Sequence, residues 1–218
     1  MNVGVAIVAG GAGRRLWEHS NGAPKALADF MGQSLLTYQI ERIKVLNPAK
    51  VVVLLHAEAA AVESHLAGRA SVLVETHPLG TAGGLHALPL DPSLWIVLNI
   101  DHVSDVDMVG LVEGHDGPCT AVVTDVPVVV DEGVVQINAG KLVSWEERPT
   151  IHVSVTTGLY VFDRAEISRH LDGSHCDMPD LIKRIMPTGV RVHQHGGVWW
   201  DVGTPSRLYE AAHWIQGN

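Results

Sequence analysis

A chain of 218 residues that is 46% hydrophobic and 18% charged, with the charges spread out, has the composition of a folded protein and excludes a disordered one. That length accommodates one substantial α/β domain, residues 1–218, and is short for two ordinary ones. A formal charge of −9 excludes a nucleic-acid coat, which needs a basic face against the phosphates, so any phosphate ligand should be small.

The start, Met1 to Val8, is apolar but has no basic segment before it and runs straight into glycines, so it reads as a buried first strand and not as a signal peptide. Short, nearly continuous apolar runs follow at Val3–Ala9, Val51–Leu55, Ser71–Glu75, Leu94–Asn99 and Thr120–Thr124. Strands buried on both faces have this pattern, which predicts a largely parallel sheet. Helical spacing falls between them at Ser34–Leu46, Glu58–Leu66, Thr81–Leu88 and Asp105–Glu113, with Ser34 and Asp105 as candidate N-caps. After residue 125 the rhythm changes, and Val126–Trp145, rich in Val and Gly with polar alternation, predicts an antiparallel β insertion. A strand at Ser154–Phe162, helices near Arg164–Leu171 and Met178–Met186, a strand at Val190–His195 and a helix from Thr204 to about Ile215 complete the order. There is no internal repeat, and no hexapeptide pattern that would build an appended β-helix. Cys119 and Cys176 stand in no metal-ligand or redox spacing, and no apolar run approaches the roughly 20 residues that span a bilayer, which together imply a cytoplasmic protein free of membranes.

The first strand leads into Ala9-Gly10-Gly11-Ala12-Gly13-Arg14-Arg15-Leu16. Glycines there let backbone N–H groups face an anion, and an arginine adds a bidentate grip on phosphate. Glycine spacing alone is weak, because tight turns use glycine for conformational reasons; the Walker pattern and the dinucleotide fingerprint are both missing. Its continuation, Ala23-Pro24-Lys25-Ala26-Leu27, carries more. Together G-G-x-G-x-R-L and P-K-x-L resemble the signature of the sugar nucleotidyltransferases, a family that includes glucose-, mannose- and heptose-1-phosphate enzymes.

Further motifs resemble that family in its own order along nearly the whole chain. Pro78-Leu79-Gly80-Thr81-Ala82-Gly83 looks like its P-L-G-T-A-G, Glu146-Glu147-Arg148-Pro149 like E-E-K-P with Arg for Lys, and Trp200-Asp201-Val202-Gly203-Thr204-Pro205 like its closing W-x-D-x-G-T-P. Thr157 to Phe162 is similar to N-x-G-x-Y-x-F. Asn99-Ile100-Asp101 resembles the N-G-D strand end, with Ile in the middle putting the local backbone geometry in question.

The resemblance implies a Rossmann-like, mixed and mostly parallel sheet flanked by helices, with a small antiparallel insertion: the GT-A-like nucleotidyltransferase fold. It implies transfer of a nucleoside monophosphate from a nucleoside triphosphate to a sugar 1-phosphate, with pyrophosphate released and Mg2+ required. By it, Arg15, Lys25, Asp101 and Asp201 are catalytic, the two aspartates holding magnesium. Ala9, Gly10, Gly11, Gly13, Glu75, Gly80 and Thr81 meet the nucleotide; Glu147, Arg148, Thr157 and Gly158 meet the sugar phosphate. Arg15 stands at the family's arginine position, so Arg14 should matter less. Glu75 stands where uridylyl- and thymidylyltransferases of the family carry glutamine and guanylyltransferases glutamate. An ionised carboxylate accepts two hydrogen bonds, which matches guanine N1–H and its amino group, so GTP is favoured with mannose- or heptose-1-phosphate as acceptor. Alternatives are a uridylyl- or cytidylyltransferase on another phosphorylated sugar or alcohol, and a non-catalytic nucleotide-sugar-binding regulator; a homo-oligomer is left open.

Other features carry less. The thirteen histidines, His193 and His195 among them, read as solvated or simply hydrogen-bonded. His102 could lie near the site, and Trp199 and Trp200 read as core or pocket wall. No nucleophile elbow occurs.

Overall fold

The computed structural model describes residues 2–10, 24–56 and 59–217. Gly11, Gly13, Arg14 and Arg15 lie outside the described residues.

The strands in chain order are β1 (Val3–Val8), β2 (Asp29–Phe30), β3 (Gln33–Ser34), β4 (Lys50–Leu55), β5 (Ser71–Val74), β6 (Leu94–Asn99), β7 (His102–Ser104), β8 (Cys119–Val129), β9 (Gly133–Asn138), β10 (Lys141–Glu147), β11 (Thr150–Asp163), β12 (Val190–Gln194) and β13 (Trp199–Asp201). The helices are α1 (Leu35–Ile43), α2 (Ala59–Leu66), α3 (Gly80–Gly83), α4 (Met108–Glu113), α5 (Arg164–His170), α6 (Met178–Ile185) and α7 (Pro205–Gly217). Seven strands form one sheet in the order β12-β8-β11-β6-β1-β4-β5, in which β11 runs against both its neighbours and every other pairing is parallel.

Apolar side chains leave both faces of this sheet, so it needs cover on both. Val3, Val5 and Ile7 of β1 enter one buried cluster, with Leu36 and Ile40 of α1, while Ala6 enters another with Trp95, Leu181 and Ile185. That is the two-sided burial the continuous apolar runs predict. In the strand order, successive units leave β1 first toward β4 and then, by way of β6, toward the other edge. The carboxyl ends of β1 and β6 therefore flank a topological switch point, the place where open α/β sheets form ligand crevices.

The insertion after residue 125 is antiparallel, as its alternation predicts. β8 and β11 run on together past the main sheet, and β9 and β10 form a hairpin turned by Ala139 and Gly140, both at positive φ (47° and 76°). Two residues in that conformation match the right-handed twist of a tight hairpin.

Ser34 caps α1 as expected, its Oγ accepting the Thr37 N–H at 3.0 Å. The cap expected at Asp105 is instead Asp107, which accepts the N–H groups of Val109 and Gly110 at 3.0 Å each, so α4 begins at Met108. Asp105 is held elsewhere: its amide donates to Val198 O and its carboxylate accepts from Val198 N at 2.7 Å. The helix expected over Thr81–Leu88 is one short α turn, Gly80–Gly83, tightening into a 3-10 turn at Gly84–Ala87. Among the described residues no helix is long and apolar enough to cross a membrane.

Burial fixes the chemistry of the thiols. Cys119 is fully covered and its thiol is pushed up to about 12, and Cys176 is 2% exposed. Because the thiolate is the reactive form, a thiol reagent such as dithionitrobenzoate should label neither cysteine in the native protein and both after denaturation. Rapid native labelling of Cys119 would contradict this packing.

Candidate active site

β6 ends at Asn99, and the chain turns through Ile100 and Asp101 into β7. The Ile100 amide still donates to Val8 O at 3.0 Å, which holds the turn against the end of β1. β13 pairs antiparallel with β7, setting Asp201 opposite His102, and the Val202 amide donates to Asp101 O at 2.9 Å. Two carboxylates far apart in sequence thereby become neighbours.

Gly203 measures how closely they converge. A Cβ on it would lie 2.8 Å from Asp201 Oδ1 and 3.6 Å from Asp101 Oδ2, so any side chain there would intrude between them. Its amide instead donates to Asp201 Oδ1 at 2.9 Å. Lys25, from the short 3-10 turn Lys25–Leu27, forms an ion pair with Asp101 Oδ2, and Arg207 Nη1 stands 3.8 Å from Asp201 Oδ2. The isoleucine in Asn99-Ile100-Asp101 causes no strain: Ile100 has negative φ and is 3% exposed within the core.

Behind the carboxylates lies a buried polar scaffold. Gln39 Nε2 donates to Ile100 O and His102 O at 3.0 and 2.6 Å, and Arg42 donates to Ser104 Oγ at 2.6 Å. Burial first, and then the Arg42 charge, hold the His102 imidazole down at about 3, so it is neutral near pH 7. A neutral ring fits its partners, with Nδ1–H donating to Thr157 O at 2.8 Å and Nε2 accepting from the Ser104 hydroxyl at 2.8 Å. Trp199 Nε1–H donates to the same Thr157 carbonyl at 3.0 Å. That carbonyl is available because the register of β11 against β8 shifts between Thr156 and Tyr160, a bulge beside the site.

Two cavities open at this edge of the sheet. Val8, Gly10, His56, Glu75, Gly80 and Thr81 line the first; Asn99, Asp101, Thr157, Gly158, Trp199 and Asp201 line the second. Val8 and Asn99 are register partners, so the cavities adjoin across β1 and β6. In the first, Glu75 Oε2 accepts the Leu79 N–H at 3.1 Å, which fixes the carboxylate at the cavity wall. Gly80 has φ +79°, and a Cβ there would lie 2.6 Å from Cys176 O, so glycine is required by conformation and by close approach to the start of α6. Thr81 Oγ1 accepts the first amide of α6, from Met178, at 2.7 Å, giving this residue a docking role as well as a place in the wall.

Of the other expected site residues, Ala9, Glu147 and Arg148 stand apart from the cavities. Ala9 is 9% exposed and its amide donates to Leu54 O at 2.9 Å, so that amide is already engaged in the sheet. Glu147 accepts from Trp145 Nε1 at 2.9 Å, and Arg148 pairs with Asp131 at 2.7 Å; both are exposed on the β insertion. Thr157 lines the second cavity, but its hydroxyl donates to Val122 O at 3.2 Å.

Among the described residues no three His, Cys, Asp or Glu side chains gather as a metal cluster. Asp101 and Asp201 offer two carboxylates, a hard oxygen pair that suits magnesium when substrate phosphates and water complete its shell.

Residues 5–217 match the family model of nucleotidyl transferases. The chain belongs to the nucleotidyl transferase family. The motif resemblance therefore pointed to the right family. Among curated relatives of this chain, mannose-1-phosphate guanyltransferase beta-B of Xenopus laevis is 31% identical over 222 residues, covering 91% of this chain and 61% of the relative. The chain thus spans about three-fifths of the length of the curated relatives it matches. Its fold is shared with HddC from Yersinia pseudotuberculosis complexed with GMP-PN, at TM-score 0.75, 21% identity and coverage of 97% and 99% of the two chains. An inositol-1-phosphate CTP transferase from T. maritima superposes at TM-score 0.70 with 16% identity, covering 98% and 96%. These neighbours bear out the mostly parallel, GT-A-like α/β architecture.

The scaffold residues Gln39, Arg42 and Ser104 were not singled out by the sequence motifs. Gln39 did leave a signal, as an amide within the apolar stripe Leu35, Leu36, Ile40 and Ile43.

Proposed function

We propose that this nucleotidyl transferase moves a nucleoside monophosphate, guanylyl in preference, from a nucleoside triphosphate to a sugar 1-phosphate such as mannose- or heptose-1-phosphate. The observation that carries the reading is the convergence of Asp101 and Asp201 at Gly203, with Lys25 beside them, where two cavities adjoin. In that arrangement the first cavity takes the base and the second the sugar. An oxygen of the sugar phosphate attacks the α-phosphorus in line; the O–P bond forms as the bond to the bridging oxygen breaks, whose electron pair leaves with pyrophosphate. The attacking phosphate is already anionic, so no general base is needed, and the chain's task is to position the groups and neutralise charge. Magnesium held by Asp101 and Asp201 would neutralise the phosphate charge that grows in the transition state. Lys25 is close enough to share that task, and Arg15 is assigned to the nucleotide phosphates by its motif.

Base choice rests on Glu75. Its carboxylate is fixed at the cavity wall by the Leu79 amide and faces Gly84, where a Cβ would lie 2.3 Å from Oε1, so the glycine leaves room for it. Two acceptor oxygens match the adjacent N1–H and amino donors of guanine, whereas the carbonyls of uracil would be repelled. The names of the guanylyltransferase relatives accord with this choice. With mannose- or heptose-1-phosphate as acceptor, kcat/KM should be at least about tenfold higher for GTP than for UTP or CTP, and Glu75→Gln should erode that ratio, since an unmatched buried polar group discriminates by a few kcal/mol. Equal or better use of UTP by the wild-type protein would overturn the base assignment alone; no pyrophosphate from any of the four triphosphates with a panel of sugar 1-phosphates would overturn the transferase reading.

A further inference from the structure

The Asp101 turn is not part of a strand, yet its direction decides where a carboxylate points. Its backbone is tied down by Ile100 N to Val8 O, by Val202 N to Asp101 O, by the amide of Gln39, whose two donor protons go to the carbonyls on either side of Asp101, and more weakly by Arg42 Nη1, 3.5 Å from His102 O. Gln39 is fully buried in the stripe by which α1 meets the core. A leucine would suit that stripe better on burial alone, since a polar side chain is costly there unless its hydrogen bonds are made. Among the described residues its Oε1 has no partner, while both bonds of the amide run to the turn. Turning the amide over would set oxygen against two carbonyl oxygens, so the chemistry allows one orientation. One helical turn on, Arg42 reaches Ser104 at 2.6 Å, bracing the strand into which the turn leads.

We propose that Gln39 is a positioning residue, fixing the direction of the Asp101 carboxylate through the carbonyls of Ile100 and His102, with Arg42 bracing the same turn through Ser104. This rests on the reading of Asp101 as a magnesium ligand. Residues that orient a metal-binding carboxylate typically change metal affinity or activity by about 10- to 100-fold when replaced. Without the Gln39 amide, Ile100 O loses its donor and His102 O keeps only the longer 3.5 Å bond from Arg42 Nη1, so the turn samples other directions.

The test uses Gln39→Leu, which keeps volume and removes both donors, with Gln39→Met as the second variant should the branched side chain fold poorly. Ile40→Val serves as a control, trimming the same helix without touching the turn. The concentration of Mg2+ giving half-maximal pyrophosphate release should rise about 10- to 100-fold in the Gln39 variants, with rate recovering as Mg2+ is raised, and should not change in Ile40→Val. Hydrogen exchange provides a readout independent of turnover: the amides of Ile100 and Val202 should exchange faster in the Gln39 variants, beyond any general loss of stability shared with Ile40→Val. Unchanged exchange at those amides, or Mg2+ dependence equal to wild type, would overturn the role of Gln39. If the wild-type protein released no pyrophosphate at all, the transferase reading would fall, and the exchange measurement would still decide whether Gln39 holds the turn.

Discussion

Asp101→Ala and Asp201→Ala should each lower turnover by about a thousandfold or more, because a cation that neutralises the transferring phosphoryl group lowers the barrier more than most single contacts such a site can make. The alanine variants also disturb neighbours. Loss of Asp101 strands the Lys25 ammonium, whose side chain is only 14% exposed, and loss of Asp201 removes the acceptor of the Gly203 amide. The amide variants are therefore the cleaner comparison. Asp201→Asn can keep an oxygen on the Gly203 N–H while deleting the charge, so a deep loss of rate in that variant belongs to the charge. Pyrophosphate release in saturating Mg2+, with folding checked by circular dichroism, measures both. Near-normal turnover in Asp101→Asn or Asp201→Asn would take that residue out of the metal site. The two losses should also be far from additive, since in the proposed site removing either carboxylate would already disable the same ion.

The parallel core was legible because β1, β4 and β6 are buried on both faces and so read as unbroken apolar runs; they and the half-exposed edge strand β5 were each placed to within a residue at most of their observed ends. Much of the site was legible through motifs at strand ends, because those are the positions a parallel sheet presents along one edge. What remained hidden is long-range pairing. β7 and β13 are three residues each, too short to show a period, yet their register brings Asp201 to Asp101. The misplaced cap has the same origin: Asp105 and Asp107 are equally good caps by composition, and the bond between Val198 and Asp105 decides between them. Ile100 in place of glycine looked like a defect in sequence. It is tolerated because the turn keeps negative φ there and buries the side chain.

Lys25→Ala should lose rate by roughly ten- to a thousandfold, in line with loss of a charge-assisted contact worth about 1.5–3 kcal/mol in a ground state and more where charge develops. Its present partner makes the expectation sharper. Lys25 Nζ sits on Asp101 Oδ2, one of the oxygens proposed to face magnesium, so the ammonium and the ion compete for one carboxylate until nucleotide phosphates offer the lysine another partner. Removing the lysine should then make the half-saturating concentration of Mg2+ fall, or at most stay level, while turnover at saturation drops. A residue that served only to buttress Asp101 would have the opposite signature, with Mg2+ affinity weakened and turnover restored at high concentration, as expected for Gln39. Lys25→Met, which retains most of the apolar stem, separates loss of charge from loss of packing around a largely buried side chain. Pyrophosphate release as a function of Mg2+ for wild type, Lys25→Ala, Lys25→Met and Gln39→Leu therefore resolves the two roles in one experiment. If Lys25→Met kept wild-type turnover at saturating Mg2+, the lysine would be a counter-ion of Asp101 alone and would play no part in the transfer.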